Sequence, residues 1–272
     1  ARKYWQNKPA PWAIAWKYPP ARQLTDVTGI TTTIGRNGKV TVILNLKSFR
    51  LDDKVISKVN VGSVSRFKHW DVVPGDQVAI ALAGQGIPRL EEVTWRVVDR
   101  TEVSLPEPNR YNALSCMMPE QGCMQQFLSR LIRLSGPEAL DMAGFGGATW
   151  QKLLGAGPGD TLTSWLSFNE KDLAAVSGIG VKQAQKLMVQ IHLARQKDFR
   201  HWLSAIGFPS FALKFAGQQQ SWSRLIQMTS RDWEMTEGVG KKRAAQIYEF
   251  IHHPHVLAVI DALKQGQLPA FL

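Results

Sequence analysis

The residues in this 272-residue chain best suited to chemistry are glycines. Gly178-Ile179-Gly180 and Gly238-Val239-Gly240 each sit between two amphipathic segments. The spacing predicts a helix that ends at the first glycine, where a positive φ terminates it without a Cβ clash. Ile179 then turns inward to pack, and Gly180 opens the next helix. The first turn of a helix has unpartnered backbone N–H groups and the positive end of the dipole. Such an end holds a phosphate without any side chain, and glycine lets the phosphate approach closely. Lys182 follows the first pair, while Lys241, Lys242 and Arg243 follow the second. Ala184, four residues past Gly180, is small enough for close helix contact. The chemistry these stretches would supply is phosphate binding without sequence reading; the alternative is a purely structural helical array.

Other reactive side chains carry less on their own. Lys17 is a lysine flanked by Trp16 and Tyr18, and Arg36 is a turn residue on a basic surface. Cys116 and Cys123 are the two cysteines, too few for a disulfide framework, so a reducing compartment is the default. His252, His253 and His255 read as exposed histidines at a helix end rather than as metal ligands.

Positioning the glycines takes helices, and from Met124 onward the pattern supplies them. Phe127, Leu128, Leu131 and Leu134 form one apolar stripe. Gly144-Phe145-Gly146 and the degenerate Gly207-Phe208-Pro209 join the other two hairpins in a repeat whose first glycines lie 34, 29 and 31 residues apart. That is the size of a helix–turn–helix unit, so four units are expected. The Gly144 and Gly207 copies lack either a nearby lysine or the second glycine, and are expected to hold the array together. Before residue 105 the sequence reads as strands. Val40, Val42, Leu44 and Leu46 alternate along one face, and similar runs cover Val27–Ile34, Lys54–Val61, Gln77–Ala83 and Val93–Val98. Five short strands suit a small barrel, with the OB-fold as the five-stranded candidate. The fold class is therefore a multidomain α+β chain, an OB-fold β-barrel followed by an all-α helix-hairpin-helix array.

Net charge is +11, and residues 1–70 hold 13 basic against 3 acidic side chains. A basic block of that kind suits a polyanion, because phosphate neutralisation releases condensed counterions; its alternative is a solvated surface kept for solubility. A 44% hydrophobic composition excludes a disordered chain. No apolar run approaches the ~18 residues of a membrane span, which excludes a membrane protein. The chain opens at Ala1 within ordered-looking sequence, as a piece of something longer would.

Trp12 to Pro20, with Lys17 before Tyr18-Pro19, resembles the segment that ends the adenylation domain of bacterial NAD-dependent DNA ligases. Ile34-Gly35-Arg36-Asn37-Gly38 is similar to the Val-Gly-Arg-Thr-Gly segment at the start of that family's OB domain, and Ala83 to Pro88 to its Ala-Gly-Asp-Val-Ile-Pro loop. With the cysteine-bearing linker and four hairpins in order, the resemblance spans essentially the whole chain. It is closest to the DNA ligase B branch, since no BRCT domain follows the helices. It implies the end of the adenylation domain at 1–21, an OB domain at 22–103, a linker with a degenerate zinc module at 104–135, and a helix-hairpin-helix domain at 136–272.

The resemblance further implies a reaction in three steps: a lysine is adenylated by NAD, AMP passes to the 5′-phosphate of a nick, and the 3′-hydroxyl displaces it. Mg2+ would stabilise the phosphoryl charge. Lys17 matches the lysine on the adenylate phosphate, and Arg36 an arginine on DNA near the nick. Gly178, Gly180, Lys182, Gly238, Gly240, Lys241 and Lys242 would hold the DNA backbone. No Lys-x-Asp-Gly occurs in the chain, so the nucleophile lies outside it and the chain alone is expected to be inactive. Two of the family's four zinc cysteines remain and no histidine lies near them, so the pair reads as a relic and no metal is expected. The expected partner is nicked duplex DNA without sequence preference, bound by a cytoplasmic monomer that is nucleoid-associated on DNA. The alternative is a non-enzymatic module of OB and helix-hairpin-helix domains.

Overall fold

The computed structural model describes residues 22–84, 86–156 and 161–272. Lys17, the whole 1–21 segment and Gln85 lie outside them. The chain forms two compact units, one holding residues 42–104 with the start of the first strand, the other holding residues 105–272 with the hairpin tip 32–41.

Five strands build the first unit: β1 (Arg22–Ile34), β2 (Val40–Leu51), β3 (Lys54–Gly62), β4 (Gln77–Ala83) and β5 (Ile87–Trp95). Their order in the sheet is β3-β2-β1-β4-β5. Val40, Val42, Leu44 and Leu46 are all buried, as the alternation predicts, and so are Val59, Val61, Val78 and Ile80. Several features depart from the sequence reading: β1 starts at Arg22 rather than Val27, and β5 ends at Trp95 rather than Val98. β5 starts at Ile87 rather than Val93, because residues 87–90 pair with β4 in spite of Pro88. Proline is tolerated there because β5 is an edge strand. A short helix, α1 (Val64–Trp70), was also not expected. Ser63 caps it by accepting from Arg66 N, and its Val64 and Phe67 are buried. The sheet curls toward a barrel, with Lys54 Nζ donating to Gly86 O at 2.8 Å, but no continuous ladder closes it. Asp76, fully buried, pins the base of β4. Its carboxylate accepts from Val73 N at 3.0 Å and Val97 N at 2.9 Å, and pairs with Arg100 at 3.2 Å.

The second unit is helical: α2 (Met124–Leu134), α3 (Gly147–Gly155), α4 (Glu170–Ala175), α5 (Val181–Arg195), α6 (Phe199–Ile206), α7 (Leu213–Gln218), α8 (Trp222–Gln227), α9 (Ser230–Glu234), α10 (Lys241–His252) and α11 (Pro254–Gln265). The apolar stripe of α2 is buried at Phe127, Leu131 and Leu134, so this helix belongs to the core of the unit. Trp165 packs between Trp150 and Trp202, with ring centroids 6.4 and 6.1 Å away. The middle residue of every hairpin turn, Phe145, Ile179, Phe208 and Val239, is buried in the same core.

α2 also holds the irregular segment before it. Arg130 donates to the carbonyls of Ala113, Ser115 and Cys116, and burial followed by the nearby Arg36 charge pulls its pKa down to about 10. The cysteine reading needs correction: Cys116 and Cys123 are joined in a disulfide. Cys116 is in the left-handed region and Cys123 N bonds Glu120 O, so the chain doubles back and leaves the two Cα atoms 5.1 Å apart. The histidines also differ from expectation, since His252 and His253 are half-buried between α10 and α11, and only His255 is exposed.

Candidate nucleic-acid interface

Each hairpin follows from its glycines. Gly144, Gly178, Gly207 and Gly238 all have φ between 76° and 95°, a region costly for residues with a Cβ. At the second hairpin α4 closes with Val176, Ile179 N bonds Val176 O, and α5 opens at Gly180. The fourth repeats this between α9 and α10, with Val239 N bonding Thr236 O and Gly240 opening the helix. Ala184 and Ala244 are fully buried where each helix pair meets.

The helix starts differ in a way that matters for phosphate. α4 and α9 are closed by capping boxes, Asn169 with Asp172 and Thr229 with Asp232, and α6 is capped by Asp198. The helices that open after the second glycine, α3, α5 and α10, have glycine at the N-cap and no side-chain cap. Neither α5 nor α10 has an acidic residue in its first turn. Gly178, Gly180, Lys182, Gly238, Gly240, Lys241 and Lys242 are all exposed. A Cβ built on Gly180 or Gly240 would meet nothing within 4 Å, so the space over both helix starts is open. Open donors, the dipole and lysines converge there, a combination suited to an anion.

Two cations were not assigned by the sequence reading. Lys152, on α3, donates to Gly178 O at 2.7 Å, and Arg243 donates to Gly238 O at 2.7 Å. Each puts a positive charge on the turn of a hairpin. Lys152 is 26 residues from its acceptor, and no local pattern signals the pairing. For Arg243, five residues past Gly238, the basic run at the helix start was the available signal.

Arg36 stands at the hairpin tip 32–41. Its carbonyl accepts from Gln126 Nε2 at 3.0 Å, and the carbonyl of Ile34 accepts from Ser129 Oγ at 2.8 Å. The half-buried guanidinium makes no hydrogen bond or ion pair among the described residues. Burial first, then the charge of Arg133, lowers its pKa. Lys17 lies outside the described residues. Among those residues no three His, Cys, Asp or Glu side chains converge as a metal would require. No helix among them is long and apolar enough to cross a membrane.

Comparison with known families bears on both units. The family profile of the NAD-dependent DNA ligase OB-fold domain matches residues 24–102. That of the SAM-like helix-hairpin-helix tandem matches residues 137–192, which include the Gly144 and Gly178 hairpins. The two matches, in this order along one chain, support the reading of a C-terminal part of an NAD-dependent DNA ligase.

Proposed function

We propose that this chain grips the phosphate backbone of nicked duplex DNA for a parent enzyme that seals the nick. The observation that carries the reading is the pair of open helix starts, at Gly180 and Gly240, uncapped and flanked by lysines. Contacts of this kind fix orientation on DNA but read no bases. The ligase OB-fold match favours this reading over a non-enzymatic binding module. The branch nearest DNA ligase B, a monomeric state and a cytoplasmic location belong to the same proposal.

In that parent, adenylation by NAD takes place on a lysine outside this chain. Lys17 would hold the adenylate phosphate as a point charge, and Arg36 would engage DNA near the nick. NAD and Mg2+ would supply the adenylate and the charge stabilisation of phosphoryl transfer. The described residues bring no three His, Cys, Asp or Glu side chains together to hold the ion.

Two assays on the intact parent test the assignment: label transfer from NAD, and joining of a pre-adenylated nick. Lys17→Ala should lower both by about 10²–10³, by analogy with a lost donor to a transferring group. Arg36→Ala should spare adenylation and impair joining. The isolated chain should bind the nicked duplex and acquire no acid-stable label from NAD. A Lys17→Ala parent with normal adenylation, or labelling of the isolated chain, would contradict the assignment.

A further inference from the structure

A cleft of about 530 Å³ opens within the helical unit where the degenerate third hairpin faces the hairpin tip. Its size falls in the range of small-molecule sites, ~300–1,000 Å³. Leu114, Pro209 and Phe211 give it an apolar lining, above the buried Phe208 and Phe250, which meet edge to face at 5.5 Å. Gln246 and Asn112 bring exposed amides to its wall. The Asn112 Oδ1 is already used by the backbone of Leu114 and Ser115, which leaves its NH2 to face a ligand. Arg36 enters with its guanidinium unpaired among the described residues, and Arg243 lies over the Phe211 ring at the rim, 5.1 Å from its centroid.

Pro209 replaces the second glycine of this hairpin and has no N–H to offer. The element it opens is a single three-residue turn, and Arg36 is the cation at the cleft with no partner among the described residues. A planar guanidinium without a partner suits a phosphate bidentately. The apolar lining suits a flat ring, and the amides suit its polar edge. Glu249, also at the cleft, can accept from an exocyclic amino group. Phosphate, flat apolar ring and hydrogen-bonding edge are together the features of a nucleotide.

We propose that this cleft binds one nucleoside 5′-phosphate unit, its phosphate on Arg36 and its base against the apolar wall at Leu114, Pro209 and Phe211. The unit comes either from a free nucleotide or from an unpaired position of a DNA strand. The lining takes no residue from the Gly178 or Gly238 turns, although it shares α10 with the Gly240 helix start, and a mononucleotide probe tests it without any duplex.

Calorimetric titration of the full chain tests this with four probes: AMP, adenosine, inorganic phosphate and a 5′-phosphorylated single-stranded tetranucleotide. AMP or the tetranucleotide should bind saturably, at least about tenfold tighter than adenosine or phosphate, roughly 1.4 kcal/mol. Saturation by AMP identifies a free nucleotide as a sufficient ligand; saturation by the tetranucleotide alone identifies a strand position. Arg36→Gln should weaken that binding about tenfold or more. Gln246→Glu, at an exposed position that spares the core, should do the same by removing the amide from the cleft wall and adding a negative charge to a site for an anionic ligand. The proposal fails if neither probe saturates by about 10 mM, a binding free energy of roughly 3 kcal/mol. It also fails if phosphate alone binds as well as AMP, or if both variants bind like the parent chain.

Discussion

Replacing Gly180 or Gly240 with valine asks whether the open helix starts hold phosphate. Both glycines have ordinary backbone geometry, φ −82° and −86°, and a Cβ there meets nothing within 4 Å. The substitution is therefore unstrained in the folded chain. Valine is a poorer N-cap than glycine by about 1 kcal/mol, and the stiffer unfolded chain returns roughly 0.4–1 kcal/mol of that. Net stability should change by less than about 1 kcal/mol. Binding should respond more. The branched side chain occupies the space from which a phosphate would reach the first N–H groups. A hydrogen bond to a charged group contributes about 1.5–3 kcal/mol, so each variant should lose roughly 10- to 150-fold in affinity. The log–log salt slope should fall by about 0.9 for each phosphate lost. Gly146→Val is the matched control: it too is an uncapped N-cap over open space, but no basic residue stands in the first turn of α3. It should leave affinity nearly unchanged. Fluorescence anisotropy of a labelled duplex at low salt, with melting temperatures beside it, measures all three. Unchanged affinity in both Gly180→Val and Gly240→Val would remove the hairpins from the DNA-binding surface.

Three further perturbations test the scaffold. Gly38→Ala would drive a Cβ into the backbone of Tyr111 and Asn112 from a left-handed conformation, φ 78°, with no flexible side chain to yield. A loss of about 2–4 kcal/mol is expected in denaturant melts, and a neutral result would refute the packing of the hairpin tip. Asp76→Ala should cost about 2–4 kcal/mol, because it leaves two backbone N–H groups without their buried acceptor and Arg100 with Asp71 alone. A melt like that of the unaltered chain would argue against that network. Hydrogen bonds from the Thr229 backbone and hydroxyl hold the Asp232 carboxyl below its ordinary value of 3.8. A depressed acid stabilises the fold above its unfolded pKa, and that contribution disappears as pH falls through the folded value. Stability should therefore drop below about pH 4 in the original chain, and the drop should be smaller in Asp232→Asn.

The parts legible in the sequence were those fixed by short-range rules. β2 shows its buried face by alternation, and each hairpin announces itself because a left-handed residue and an open N-cap both favour glycine. β5 was hidden at its start, since Leu90 is its one buried residue and alternation gives no signal. α1 is seven residues long, too short for helical periodicity to stand out from the strands around it. The disulfide depends on a turn at 116–123 that composition does not announce. Lys152 and Arg36 show the larger limit. Lys152 reaches a hairpin turn from another helix, and the surroundings of Arg36 come from residues near 112, 208 and 250. Residue type made both visible as cations, but only tertiary packing determines what each one faces.

The central claim, that this chain holds DNA by its phosphates, is tested most directly by salt titration of its affinity for two nicked duplexes of unrelated sequence. Two hairpins and a basic first quarter acting together should release several counterions. The account predicts a linear fall of log K with log salt, with a slope of about −3 or steeper, at ~0.9 per phosphate contacted. Both duplexes should give the same line within about threefold, because backbone contacts carry no base information. A slope shallower than about −1, the value for a single contact, would contradict it. So would a preference of more than about tenfold for one sequence, the discrimination that direct base readout provides.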